Sequence, residues 1–303
     1  MSRHVLQKLM QKLVLIDGNS LFHRAFHALP PLTSPSGELV NAVYGFASIV
    51  MNILRKMNPE YMAVAFDSSK KCFRHDSFPE YKATRKKTPQ ELYDQIPKIK
   101  AFVTALGVPI YEAPGYEADD ILGTLAKKGV EKNDVEVIVV SGDLDTFQLV
   151  NKVTTVATPG FQAFEFYTPE KVQERLHVTP TQVIDFKGLK GDASDNIPGV
   201  RGIGTKTAES LLETYGSLEN IYQNLANIPE KTRRKLENDR DTAFLSKKLA
   251  TIYTSVPVEL HFEQCQVRDL AKTGVPDFFR ALHFTSLLKK LSLDSAPEQT
   301  KLF

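Results

Sequence analysis

The sequence is short of several things, and each shortage excludes something. Formal net charge is only +2 over 303 residues, so total charge points to no particular partner. There are two cysteines, Cys72 and Cys265, far apart and in no metal-ligand spacing. Both read as free thiols in a reducing compartment rather than as a disulfide framework. No apolar stretch approaches the length of a membrane span. Met1 to Gln11 is polar and basic and lacks the apolar core and small-residue cleavage site of a secretory leader. It reads as a disordered lead over residues 1–11. No internal repeat or low-complexity segment occurs, and nothing signals oligomerisation. These absences predict a cytoplasmic protein, a monomer, with no membrane partner.

What is present is a normal globular composition, 42% hydrophobic and 24% charged, with charge unevenly placed. Between Lys70 and Lys87 seven basic residues (Lys70, Lys71, Arg74, Lys82, Arg85, Lys86, Lys87) face only Asp76 and Glu80. Acids recur elsewhere in compact groups. Separate acidic and basic foci suit a metal-dependent enzyme acting on a polyanion.

Apolar runs at Lys12–Ile16, Tyr61–Phe66 and Val135–Val140 read as buried strands, each closed by an aspartate-containing turn. Shorter strands are predicted at 108–111, 153–157 and 163–167. Helical periodicity covers 41–57, 90–106 and 117–128. Alternating strands and helices predict an α/β fold with a largely parallel sheet and flanking helices. After about residue 168 the pattern turns helical, clearest at 179–187, 205–215, 217–225 and 240–251. The expected organisation is an α/β core at 12–178, a helical region at 179–291 and a tail at 292–303.

Asp17, Asp67 and Asp143 each follow a buried strand. In open α/β sheets ligands bind beyond the carboxyl ends of the strands, so these three acids should share one rim. Glu117, Asp119 and Asp120 open a helix, Asp145 follows Asp143 by two, and Asp192 and Asp195 lie in a polar loop. Any one of them alone has an ordinary explanation: a turn residue, a helix cap, a partner for the helix dipole or an Asx turn. Nine carboxylates together would repel one another unless cations neutralise them. All-oxygen ligands select hard ions, Mg²⁺ or Mn²⁺ rather than zinc. Two such ions about 3.5–4 Å apart suit in-line displacement at phosphorus.

Gly199 to Ala208 (GVRGIGTKTA) sits between helical stretches. Its glycines at 199, 202 and 204 permit a tight turn and close backbone approach, and Thr205 is expected to cap the next helix. Amides at that N-terminus, with Lys206, can hold a phosphate, which is how a helix-hairpin-helix grips a DNA backbone without reading bases. A plain glycine-rich connector is the simpler alternative. Phe78 to Lys87 interleaves aromatics with bases; Tyr81 can stack an unpaired base while Lys82 and Arg85 hold its phosphate. A solvated basic helix face is the alternative there.

Seven segments, LIDGN (15–19), AFD (65–67), YKATR (81–85), YEADD (116–120), SGDLD (141–145), GDASDNIPGV (191–200) and GIGTKTA (202–208), resemble the 5′ nuclease/flap endonuclease family, and within it the N-terminal 5′→3′ exonuclease domain of bacterial DNA polymerase I. The likeness runs in order from about Lys12 to about Leu291. It implies a PIN-like core, a helical arch at about 68–100 and a C-terminal helix-hairpin-helix module. It implies that Asp17, Asp67, Glu117 and Asp119 serve one metal and Asp143, Asp145, Asp192 and Asp195 the other, with Asp120 acting through water. Lys82 and Arg85 resemble the arch-base residues that contact the scissile phosphate. Gly202, Gly204, Thr205 and Lys206 fall in the duplex-gripping hairpin, whose backbone carbonyls over 199–205 can also hold K⁺.

The resemblance thus implies a two-Mg²⁺ 5′→3′ exonuclease and 5′-flap endonuclease acting on DNA with a free 5′ end at a flap, nick or gap, in primer removal and repair. RNA primers paired to DNA remain plausible substrates. A non-catalytic DNA-structure binding protein of the same fold is the main rival, and the complete acid set speaks against it. A small-molecule phosphatase, suggested by Asp143-Leu144-Asp145, needs neither hairpin nor basic segment. An RNA-cutting PIN nuclease is closer in chemistry.

Overall fold

The structure, a computed structural model, describes residues 10–68, 71–85, 87–160 and 163–294, with side chains to Leu291. Most of the lead and most of the tail, and Lys70 and Lys86 of the basic segment, lie outside the described residues. Among the described residues six strands form one sheet: β1 (Gln11–Asp17), β2 (Tyr61–Ala65), β3 (Ile110–Tyr111), β4 (Val135–Val140), β5 (Thr154–Pro159) and β6 (Phe164–Tyr167). Their order is β3-β2-β1-β4-β5-β6, parallel except for the β5–β6 pair. The order reverses at β1, so the crevice between β1 and β4 is the switch point where ligands of such sheets bind.

The period-2 alternation of β1 explains why both faces are covered. Leu13 and Leu15 enter one apolar cluster and Val14 and Ile16 the other; every one of the four is fully buried. On the second face lie α1 (Gly18–Ala28), α2 (Asn41–Met57), α4 (Gln90–Tyr93) and α5 (Ile96–Leu106); α3 (Arg74–Ser77), between α2 and α4 in the chain, instead reaches Asp120 and the Leu249 carbonyl through Arg74. On the first face lies α6 (Ala118–Val130), with much of the later helical chain: α7 (Pro169–Leu176), α8 (Val183–Lys190), α9 (Thr205–Tyr215), α10 (Leu218–Gln223), α11 (Glu230–Asn238) and α12 (Arg240–Ala250). Then come α13 (Phe262–Cys265), α14 (Val275–Ala281) and α15 (Thr285–Asp294); the last two return to the α2–α5 face.

The helix expected over 90–106 is two. Pro97 has no N–H for the carbonyl of Tyr93, so the chain breaks at Asp94 and Gln95. The buried Gln95 amide instead accepts from the Ala42 N–H and donates to Asn41 and Glu91. The segment expected as an arch carries α3, α4 and tight turns at 79–85. Cys72 and Cys265 are free and buried. Among the described residues, no helix is long and apolar enough to cross a membrane.

Candidate active site and metal centre

A cleft of about 700 Å³ opens at the carboxyl ends of β1, β2 and β4. Seven of the nine sequence-predicted acids line it: Asp17, Asp67, Glu117, Asp119, Asp143, Asp145 and Asp192. The sheet register does this, because Asp17 is the last residue of β1 and Asp67 and Asp143 lie just past β2 and β4. Three of these acids are aimed by polar neighbours. Ser141 Oγ donates to Asp17 Oδ2 at 2.7 Å, and the Ser20 N–H donates to Oδ1 at 2.9 Å. Asn19 Nδ2 donates to Asp67 Oδ2 at 2.8 Å, and the Ala118 N–H to Oδ1 at 2.7 Å. Ser194 holds Asp192 through its N–H and hydroxyl.

Burial and crowding set the protonation of these groups. Burial, with repulsion from Asp67 and Asp143, pushes Asp17 up to about 7. Burial and Asp143 push Asp145 to about 7 despite Lys187. Asp119 is raised well above the carboxylate range by burial and by Asp17, Asp143 and Asp145, and its Oδ1 is buried with no hydrogen-bond partner. Glu117 goes the other way: burial opposes its charge, but Lys82 and Arg74 outweigh burial and hold it below the usual value.

Basic side chains sit among the acids. Lys82 Nζ pairs with Glu117 and lies 3.7 Å from Asp195 Oδ2. Arg85 pairs with Asp195, and Lys187 of α8 bridges Asp145 and Asp192. Among the described residues no three acids, histidines or cysteines close up into a finished ligand set. The donors nevertheless fit hard divalent ions: all are oxygens, burial and mutual repulsion raise the pKa of three of the acids, and one buried oxygen lacks a partner.

Three expectations are corrected. Asp120 does not face the cleft. It is fully buried, both its oxygens accept from Arg74 at 2.8 Å, and it also accepts from the Glu117 and Tyr253 N–H groups. Its two oxygens are already taken, and its place is structural. Tyr81 is only 4% exposed and cannot stack a base from there; its hydroxyl donates to Glu117 and Asp195 at 3.2 and 3.1 Å. Thr205 does not cap α9: Gly204 is the N-cap, and no side chain caps that helix. Asp195 is brought close but stands behind the cleft lining, held by Tyr81, Lys82 and Arg85. Lys82 and Arg85 line the cleft. Gly202 and Gly204, on the turn from α8 into α9, and Lys206, in the first turn of α9, lie away from the cleft.

Several site residues escaped the sequence reading. Lys187 and Lys190 line the cleft from α8, and His23 from α1. Arg74, counted only as one base among seven, anchors Glu117 from below. The one available signal was their proximity in sequence to acid motifs, which is shared by many ordinary lysines.

Two family models match adjoining stretches of the chain. The "5'-3' exonuclease, N-terminal resolvase-like domain" matches residues 12–177, and the "5'-3' exonuclease, C-terminal SAM fold" matches 178–273.

The chain belongs to the 5′-3′ exonuclease family.

Membership gives it the enzyme class that the resemblance implied, a 5′-3′ exonuclease. DNA polymerase I of Bacillus subtilis (strain 168) is 48% identical over 289 residues, covering 94% of this chain and 33% of the polymerase. That of Bacillus caldotenax is 45% identical over 295 residues, 96% of this chain and 34% of the polymerase. The chain thus spans about a third of the length of these relatives. Among solved structures, a phage T5 flap endonuclease complex with DNA and metal ions superposes with TM-score 0.68 at 20% identity, covering 94% of this chain and 97% of that one. The catalytic core of Rad2 with DNA substrate gives 0.59 at 19%, covering 94% and 91%. At such identities these two likenesses show the fold, a mostly parallel sheet with flanking helices as expected.

Proposed function

We propose that this 5′-3′ exonuclease hydrolyses a DNA phosphodiester near a free 5′ end at a flap, nick or gap, including the junction of an RNA primer paired to DNA, in primer removal and repair. The observation that carries the reading is the convergence of seven carboxylates from three strand ends, one helix start and two loops on one cleft, with Lys82 and Arg85 on its wall. The phage T5 and Rad2 structures with DNA support the choice of polymer.

Asp17, Asp67, Glu117 and Asp119 would hold one Mg²⁺, and Asp143, Asp145, Asp192 and Asp195 a second; Mn²⁺ substitutes for either. When bound, the two ions supply a nucleophilic water at neutral pH and a counter-charge for the leaving oxygen. The chain's own residues do the rest. Asn19, Ser20, Ser141 and Ser194 aim the carboxylates. Lys82 and Arg85 exchange Glu117 and Asp195 for the scissile phosphate and stabilise the charge that grows on it in the transition state. The uncapped α9 start and Lys206 take a backbone phosphate of the duplex, so position is set by DNA shape and not by base readout. Products carry a 5′-phosphate and a 3′-hydroxyl, and the protein works as a monomer.

The test is a labelled 5′-flap substrate with and without Mg²⁺, beside single-stranded and blunt duplex controls. Mg²⁺-dependent release of the flap, with little cutting of the controls, is the expected result. Tight binding of the flap with no cleavage under Mg²⁺ or Mn²⁺ would instead favour a DNA-structure binding protein.

A further inference from the structure

The hairpin that follows α8 is braced from one side by the α11–α12 segment. Gly199 N–H donates to the buried Ser246 Oγ at 2.9 Å. Arg201 N–H donates to Asp239 Oδ2 at 2.9 Å, and its guanidinium closes on the same carboxylate. At the apex, Gly202 adopts φ +78°, and its carbonyl accepts a 2.7 Å hydrogen bond from Lys235 Nζ of α11. A Cβ on residue 202 would lie 3.0 Å from that nitrogen, the movable end of a lysine, so it is the positive φ and not crowding that calls for glycine here.

We propose that Lys235 is the hairpin's built-in cation: its ammonium occupies the Gly202 carbonyl and presents its remaining N–H groups to a phosphate of the duplex, so that the hairpin grips DNA without a bound monovalent ion. A carbonyl turned outward at a hairpin tip repels an approaching phosphate, and a cation seated on it reverses the sign of that contact. Lysine has three donors and Gly202 takes one. Three residues on, α9 begins with amides that no side chain caps, and Lys206 stands in its first turn. Phosphate-binding groups from two helices distant in sequence therefore meet at one turn. A potassium ion held by backbone carbonyls over 199–205, as the resemblance implied, could not use the Gly202 carbonyl while an ammonium sits 2.7 Å from that oxygen. No signal in the sequence joins Lys235 to the hairpin; residues 33 apart meet only through the packing of α11.

The inference rests on the reading that the hairpin holds duplex DNA. Its test uses the full chain, with EDTA present to stop cleavage, and measures anisotropy of a labelled nicked duplex. Affinity is titrated in KCl, NaCl and tetramethylammonium chloride at matched ionic strength. Wild type should bind equally in KCl and NaCl to within about twofold, as expected for a purely ionic contact. Lys235→Gln keeps a donor for Gly202 but removes the charge. It should melt like wild type, bind about tenfold more weakly, and lose about 1 from the slope of log affinity against log salt. Lys235→Arg should restore both. A marked preference of wild type for KCl, or a Lys235→Gln variant with unchanged affinity and slope, overturns the inference while leaving the nuclease reading intact. Failure of wild type to bind the duplex in any salt defeats both.

Discussion

Ser141 shows how a single hydroxyl separates a turn residue from a site residue. It follows β4, is completely buried, and donates to Asp17 Oδ2 while accepting from the Asp143 N–H at 3.0 Å. One side chain thus ties an acid of the first proposed metal set to an acid of the second. Ser141→Ala should raise the Mg²⁺ concentration for half-maximal cleavage by about 10–100-fold, in line with other groups that orient metal ligands. A titration of single-turnover rate against Mg²⁺ checks this; an unchanged midpoint would leave Ser141 a turn residue only. Asp143→Asn removes a proposed ligand outright. Its single-turnover rate should fall by at least about 10²-fold while flap binding in EDTA persists. Lys82→Ala should slow the same step by about 10²–10³-fold and weaken binding far less, because its role lies in the charge of the transition state. The acids were legible in the sequence because strand ends and helix starts are local features. Tyr81 was misread because nothing local reveals that its ring turns inward and its hydroxyl bridges Glu117 and Asp195.

Between elements, the firmest tie is the guanidinium of Arg74. From α3 it donates to Glu117 and to both oxygens of Asp120 at the start of α6, and to the carbonyls of Leu249 and Thr251 at the end of α12. Gln148 makes a parallel link, donating to the Asp145 and Ala250 carbonyls and accepting from the Ile252 N–H. The last turn of α12 is therefore stitched to the elements carrying both acid sets. Arg74→Met would strand the Asp120 carboxylate without its cation. Breaking a buried pair from one side costs about 3–5 kcal/mol, so the variant should show a large fall in melting temperature. Arg74→Lys should recover little, since a point charge cannot match a five-donor fork. Strands β1 and β4 and helices α2 and α9 were legible, because buried runs and apolar periodicity announce them. Helices α1 and α11 were not: α1 starts directly on the Asp17 cap that read as a turn, and α11 (EKTRRKLEN) offers one buried side chain, Leu236, and no apolar stripe. Pairs such as Arg74–Asp120 and Lys187–Asp145 join residues 46 and 42 apart, and only the assembled sheet brings them together.

At the scale of the whole molecule, the cleft makes folding stability depend jointly on pH and on divalent ions. Asp17 and Asp145 are held near 7, against an ordinary value of 3.8 in the unfolded chain. Between these limits the two groups hold more protons in the metal-free native protein than in the unfolded chain, so through them a rise in pH destabilises it. The stability these two groups contribute is complete below about 4 and is lost as pH passes through 7. Glu117 and Asp192 are shifted the other way, Asp192 to about 2, so their contribution is already complete above the ordinary carboxylate range and does not bend the curve near neutrality. His23, lowered by burial and by His27 and Arg85, adds a contribution of opposite sign. Mg²⁺ binds only the ionised acids and must displace their protons. The melting-temperature gain on adding Mg²⁺ should therefore be small near pH 5, grow steadily through pH 7, and level off above it. Calorimetry at pH 6.5 in buffers of different ionisation enthalpy should show protons released as Mg²⁺ binds. A gain independent of pH, with no proton release, would mean that Asp17 and Asp145 are already ionised in the empty cleft and that Lys187 and the cleft's other cations, not protons, keep its acids together.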